Sequence, residues 1–312
     1  VPLLYRLFGE GRLAPDDPAG RFVPELANTP WAGATIARLM DHTSGLPAWR
    51  PFAAKLVASS GEAIAGTPSA VDSVLRRIAA ESPAAAPGVV CTYSDLGYIL
   101  LGRIVEAVTG ESLDAAFRRL VAVPLGLDRA FFVPVRGGVA SAPPVPAGDV
   151  AATERCPTRG RVLRGEVHDD NAWVLGGVAG HAGLFADAAA VDRIATALVA
   201  AWAGEDASLF VPGVVRDAWT ARAAPAGATR VRGFDTPSPA GSLAGDRAPA
   251  GTVGHLGFTG TSVWMHPSSG MVIVLLTNRV HPTRANEALR AVRPAAHDAV
   301  WDALTTLAGG HP

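Results

Sequence analysis

Three short stretches hold residue types able to move protons or bind a reacting carbonyl. They are Tyr93-Ser94-Asp95, the glycine-rich GGVAGHAGLF that contains His181, and GHLGFTGTS, which contains His255, Gly257, Phe258 and Thr259. A phenol, a carboxylate and imidazoles can donate or accept protons, and glycine lets backbone N–H groups approach a ligand closely. Each stretch also has a plainer reading. Asp95 or Ser94 suits the N-cap of a helix, a role that can coexist with chemistry. His42, in DHTSGLP, suits a helix end favoured by the dipole. His181 lies among glycines that serve unusual backbone angles or close packing.

Other chemistries find no motif. The one lysine, Lys55, does not follow a glycine-rich loop, so a phosphate-binding P-loop is absent. No Gly-x-Ser-x-Gly elbow and no His-Glu-x-x-His occur. His168, Asp169 and Asp170 in EVHDDNAW could join His181 around a metal, but adjacent side chains point in different directions, and no metal or cofactor is expected. Cys91 and Cys156 lack metal-ligand spacing, and the sequence does not decide whether they pair.

The elements that would position these residues are mostly helical at first. VPLLYRLF has helical apolar spacing and stops at Gly9 to Gly11. A short helix is predicted from Thr35, closed by Gly45 and Pro47, and an Ala-rich helical stretch runs to about Glu81. Leu96, Ile99, Leu100, Ile104 and Val108 form one apolar stripe, which predicts a helix from Tyr93-Ser94-Asp95 to Gly110. Ser112 opens another. Residues 137–148 read as surface loop, a helix is predicted from Ala188, and residues 208–250 give weak signals. Residues 252–282 read as two strands joined by Pro-Ser-Ser-Gly, and RPAAHDAVWDALTTL closes as a helix. This order predicts an α+β fold.

Composition narrows the partners. Of 312 residues, 49% are apolar and 6% aromatic, and 27 basic residues nearly balance 28 acidic ones. With no block of like charge, a nucleic-acid groove is not expected. No apolar run reaches membrane-span length, and Arg6, Glu10 and Arg12 break the first apolar face, which therefore does not read as a signal peptide.

The ordered set GEGRLAPDDPAGRFVPEL, LMDHTSGLP, YSDLGYILLGRIVEAVTGESL, RGRVLRGEVHDDNAWVLGGVAGHAGLF and GFTGTSVWMHPSSGMVIVLLTNRVHPT resembles the serine β-lactamase and penicillin-binding-protein-like hydrolases. That superfamily includes esterases and D-amino-acid peptidases. The resemblance covers most of the chain apart from residues 51–87 and 208–250. It implies one domain, with a mostly helical part over about residues 15–165. The α/β part, an antiparallel sheet flanked by helices, would take about residues 166–312 with 1–14. It also implies acyl transfer through a covalent acyl-enzyme on a small-molecule ester, amide or peptide.

Position by position, Tyr93 matches the family's tyrosine, a candidate general base and acid, and Asp95 stands where asparagine is usual. His255, Leu256 and Gly257 match the strand triplet, which the resemblance puts on an edge strand. Phe258 would give its backbone N–H to the oxyanion hole. His181, Leu256 and Thr259 are expected to bind substrate. The family's Ser-x-x-Lys is missing, because Lys55 follows Phe52 at that spacing. The resemblance places that serine about 7–8 residues upstream of Val1, two helical turns earlier. The chain is therefore expected to begin inside the catalytic helix, to lack the N-terminal strands, to expose an apolar sheet edge and to be inactive as given. A non-catalytic relative that binds a peptide or cell-wall fragment is the alternative reading.

Overall fold

The computed structural model describes residues 1–220, 225 and 228–309, and its architecture is α+β. The first helix, α1 (Pro2–Gly9), starts with proline, whose missing N–H costs nothing there, and buries Leu3, Leu4, Tyr5 and Leu7. Next, α2 (Ile36–Met40) is capped by Thr35, whose hydroxyl accepts from the Arg38 N–H at 3.3 Å. Its end departs from the sequence expectation. Gly45 and Pro47 do not close it; His42 does, in the left-handed region at φ 58. The His42 N–H donates to the Leu39 carbonyl at 3.4 Å and the Thr43 N–H to the Arg38 carbonyl at 2.9 Å, the paired bonds that end many helices.

The Ala-rich stretch forms α3 (Phe52–Ser60) and α4 (Pro68–Ala79). The central helix, α5 (Asp95–Thr109), is capped by Ser94, whose Oγ accepts from the Gly97 N–H at 3.3 Å, and it ends at left-handed Gly110. Asp95 is therefore the first helical residue and not the cap. α6 (Leu113–Phe117) runs on into a π-helical turn, residues 118–122.

Three short ribbon strands follow: β1 (Ala130–Phe132), β2 (Val135–Arg136) and β3 (Val139–Ala140), so the predicted loop 137–148 begins with a strand. α7 (Asp170–Val174) is capped by Asp169, and β4 (Leu184–Ala186) pairs with β1. α8 (Ala188–Ala203) begins where the sequence predicts, with Asp187 as its cap. The weak region proves to hold α9 (Pro212–Trp219), β5 (Arg230–Val231) and β6 (Phe234–Asp235). Expectations for residues 221–224 and 226–227 lie outside the described residues.

The predicted two-strand hairpin is instead three strands: β7 (Val253–Leu256), β8 (Thr261–His266) and β9 (Met271–Leu276). The break falls at Gly257 to Gly260, where the Gly260 N–H donates to the Gly257 carbonyl at 3.0 Å. With β5 and β6 they form one antiparallel sheet in the order β5-β6-β7-β8-β9. β7 is therefore an inner strand. β6 reaches it only at Asp235 opposite Gly254, which leaves His255 and Leu256 beyond β6's end and open on that side. Among the described residues no strand pairs with the outer edge of β9. The last helix, α10 (Leu289–Gly309), packs Trp301 against Trp264, Ile273 and Ala244 on one sheet face. The main core lies on the other face and joins the helices to Val253 and Met265. Among the described residues no helix is long and apolar enough to cross a membrane.

Candidate active site

Tyr93 precedes α5 and His255 lies in β7 beyond its pairing with β6, and the fold sets their rings 6.2 Å apart between centroids. The Tyr93 side is fixed by His42. Its left-handed turn aims the ring between Tyr93 and Tyr98, at 4.6 Å and 5.0 Å, and Nδ1 accepts from the Ser94 N–H at 2.9 Å. Ser94 itself donates to the Pro47 carbonyl at 2.7 Å, and the Asp95 N–H donates to the Ala48 carbonyl at 2.9 Å. The triplet is thus clamped to the loop that follows α2. Because Nδ1 accepts a bond, His42 is neutral with its proton on Nε2. Burial, aided by the charges of Arg230 and His255, lowers its pKa to about 3. A dipole-favoured, charged helix-end histidine does not describe this residue.

The opposite wall is β7 and its turn. His255 bonds the Leu256 carbonyl through Nδ1 at 2.8 Å, so that nitrogen carries the proton and Nε2 keeps its lone pair. Burial pushes its pKa down, with Asp235 opposing and Arg230 assisting. Strand alternation turns Leu256 to the α10 face, where it packs against the Trp264 and Trp301 cluster. A side chain at Gly257 would run into the Thr261 hydroxyl. Phe258 and Thr259 are the central residues of the Gly257–Gly260 turn, whose one internal bond uses the Gly260 N–H. Among the described residues the Phe258 N–H donates to no protein acceptor. The Phe258 ring, 58% exposed, lies on His168 at 5.7 Å with the Arg279 guanidinium 4.6 Å from its centre. Arg279 also donates to the Phe258 carbonyl at 2.8 Å, and the Arg279 N–H to the Thr259 carbonyl at 3.0 Å.

Two residues from the weak region enter the cleft. The Arg230 guanidinium lies 5.1 Å from the Tyr93 ring centre and pairs with Asp235 across the β5–β6 turn. Their signal in the sequence was an Arg-Gly pair between short alternating segments, RVRGFD. Tyr93 is half-exposed, yet its pKa is pushed up to about 12 by desolvation and by Asp95, with Arg230 opposing.

His181 is held by Asp169. Its Nε2 bonds Asp169 Oδ1 at 3.0 Å, and the same oxygen accepts from the Ala172 N–H at 2.7 Å to cap α7. Asp169 was weighed in the sequence only as a metal ligand. Among the described residues no cluster of three or more His, Cys, Asp or Glu side chains is arranged to hold a metal. Cys91 and Cys156 are both free thiols. The loop carrying His168 and Asp169 is pinned by Arg159, whose side chain is 0% exposed. Arg159 donates to the Val167 and His168 carbonyls at 2.8 and 2.7 Å and to Asp170 at 3.0 Å, reaches Glu166 at 3.4 Å, and stacks on Trp173.

Gly180 explains why the glycines surround His181. A Cβ there would press into the Tyr98 carbonyl oxygen and stand 2.9 Å from the Gly102 N, both on α5. Gly180→Ala must push His181 away from α5. It is expected to destabilise the protein by about 1–3 kcal/mol, measured by urea unfolding, and an unchanged midpoint would show that the close approach is not needed.

Comparison with known proteins shows the family and the fold. A family model described as beta-lactamase matches residues 3–297. An Escherichia coli K12 protein provisionally named D-alanyl-D-alanine carboxypeptidase is 32% identical over 300 residues, covering 89% of this chain and 66% of that protein. A relative of the same name from Salmonella typhimurium is 31% identical over 302 residues, covering 91% and 67%. The chain thus spans about two thirds of the length of these curated relatives. Among solved structures it is similar to EstCE1, a hydrolase with promiscuous acyltransferase activity, with TM-score 0.66 and 22% identity over 96% of this chain and 81% of that one. A class C beta-lactamase mutant aligns with TM-score 0.65 and 18% identity over 96% and 79%. A penicillin-binding protein homologue from Caulobacter crescentus aligns with TM-score 0.64 and 21% identity over 95% and 80%. At such identities these structures share the fold.

Proposed function

The chain belongs to the beta-lactamase family, and we propose that it forms the substrate cleft of a serine hydrolase that transfers acyl groups from esters or amides. The observation that carries this reading is the meeting of Tyr93 and His255, from distant parts of the sequence, beside a turn whose Phe258 N–H has no protein acceptor among the described residues. In the reaction a serine hydroxyl adds to the substrate carbonyl carbon. The carbonyl oxygen becomes an anion facing the Phe258 N–H, and the leaving group departs with a proton. Tyr93, held as the neutral phenol, gives its proton to the leaving group and takes the serine's proton in return, so acylation leaves it neutral again. Water then hydrolyses the acyl-serine ester to free the acid. An ammonium group placed beside it would lower its pKa and let it act as a base as well.

The nucleophile is not among these residues. Ser94 is committed to the Pro47 carbonyl and the Gly97 N–H, and Ser44 accepts from the Leu46 N–H at 3.3 Å. The sequence has no Ser-x-x-Lys. The 312-residue chain is therefore expected to form no adduct with a fluorophosphonate by intact-mass spectrometry. A stoichiometric adduct would place the nucleophile within it and overturn this assignment.

The walls also bear on the substrate. His255 is neutral near pH 7, Leu256 faces away, and Arg230 is neutralised by Asp235, so the wall formed by these three residues offers no free cation to a substrate carboxylate. This favours neutral esters or amides over carboxylate-bearing substrates. In a longer chain that carries Ser-x-x-Lys ahead of α1, neutral esters should turn over faster than a β-lactam or a peptide ending in D-alanyl-D-alanine. The reverse order of kcat/KM would sink the preference.

A further inference from the structure

His181 has no role yet in the cleft, although its surroundings are unusual. Its side chain is 3% exposed, and the Gly180–Gly102 approach holds it against α5. One nitrogen, Nε2, meets the Asp169 carboxylate at 3.0 Å, while Nδ1 is buried with no partner among the described residues. Asp95, in the first turn of α5, lies near enough for its charge to act on this ring. One imidazole thus bonds one carboxylate and packs against the helix whose first turn carries another.

We propose that Asp169 and His181 form a positioning pair for the Tyr93-Ser94-Asp95 corner, in which His181 stands as an imidazolium and fixes Asp95 as an anion beside the Tyr93 phenol. The corner then offers a carboxylate and a neutral hydroxyl together, a seat for an ammonium group. The pair acts through Asp95 and touches no reacting atom, so it is a positioning element of the cleft proposed above and rests on that reading for its purpose.

The charged neighbours agree in direction. Burial works against charge on His181, but the hydrogen bond and charge of Asp169, with Asp95 adding, raise its pKa above the ordinary value. Burial likewise opposes ionised Asp169, and the His181 bond nevertheless brings its pKa down to about 2, with the Ala172 N–H and His168 assisting. For Asp95, burial pushes the pKa up, Asp169 adds to that, and His181 is the group that counters it.

NMR titration of the isotopically labelled 312-residue chain tests the pair without any need for turnover. His181 is expected to titrate above 6.5, the ordinary histidine value. Asp169→Asn keeps an N-cap acceptor for α7 but removes the charge. In that variant the His181 midpoint should fall below 6.5. In His181→Gln the Asp95 carboxyl should bind its proton about tenfold more tightly, a readout that a merely structural histidine would not move. A wild-type His181 midpoint below 6.5, or an Asp95 midpoint unmoved in His181→Gln, overturns the proposal. The wild-type titration decides the matter even if a variant fails to fold. The fluorophosphonate result stands apart, so failure of the hydrolase reading and failure of the pair are separately visible.

Discussion

Arg159→Ala is expected to lower the unfolding free energy by about 3–5 kcal/mol, because it removes one partner from a buried ionic cluster and strands the others. The guanidinium is fully buried and serves two backbone carbonyls, Asp170, Glu166 and the Cys156 sulfur, the last at 3.4 Å. Glu166 retains Arg161 at 2.9 Å, which softens its loss. The Val167 and His168 carbonyls have no such substitute in view. Since the same loop carries Asp169 and the His168 ring under Phe258, both walls of the cleft should loosen together. Arg159→Lys keeps the charge but not the planar fork, so it should recover less than half of the loss. Urea unfolding followed by circular dichroism measures both variants. A change under about 1 kcal/mol for the alanine variant would contradict a supporting role for this cluster.

Acid should destabilise the protein well before its carboxylates are all protonated, and His42 is the reason. Its folded pKa of about 3 lies below the ordinary 6.5, so the unfolded chain takes up the proton first as pH falls. Its contribution to stability is complete above pH 6.5 and is lost progressively as pH falls toward 3. Between pH 7 and pH 4 that loss amounts to about 3 kcal/mol. Asp169, lowered from 3.8 to about 2, adds its own loss as pH falls from 3.8 toward 2, overlapping only the acid end of the range in which His42 acts. His181 has the opposite sign. Its raised pKa gives stability that is present below pH 6.5 and lost as pH rises through the folded midpoint. His42→Asn isolates the effect, because an asparagine side chain can accept the Ser94 N–H and asparagine tolerates the left-handed region. The variant should be less stable at pH 7, having lost the stacking on Tyr93 and Tyr98, yet its stability should fall less steeply toward pH 4. Equal slopes for variant and wild type in unfolding free energies at pH 7, 5.5 and 4 would assign the acid sensitivity to other groups.

How much of this was legible in the sequence follows from how far each signal reaches along the chain. Thr35 and Gly110 marked helix limits because a cap is a bond within one turn. The apolar run Met271–Leu276 marked a strand, and the helix from Ala188 followed a glycine-rich bend in the sequence. The order of motifs carried the family and the α+β class. Local signals could not separate β7 from β8, since four residues between Leu256 and Thr261 read as continuous strand until Gly257 and Gly260 bond across the turn. Nor could they raise β5 and β6 above the background, because two-residue strands exist only through pairing, here with each other and, for β6, with β7.

By itself the sequence determined the fold class, the family's ordered motifs, the absence of a Ser-x-x-Lys pair and the candidacy of Tyr93 and His255. Only the tertiary structure decided that His42 stays neutral under Tyr93, that Arg230 and Asp235 neutralise each other in the cleft, and that Asp169 binds His181. Those pairings join residues with no periodic relation to one another. Whether a histidine is a buried acceptor or a charged partner depends on which carboxylate or N–H the chain's path brings within about 3 Å of it.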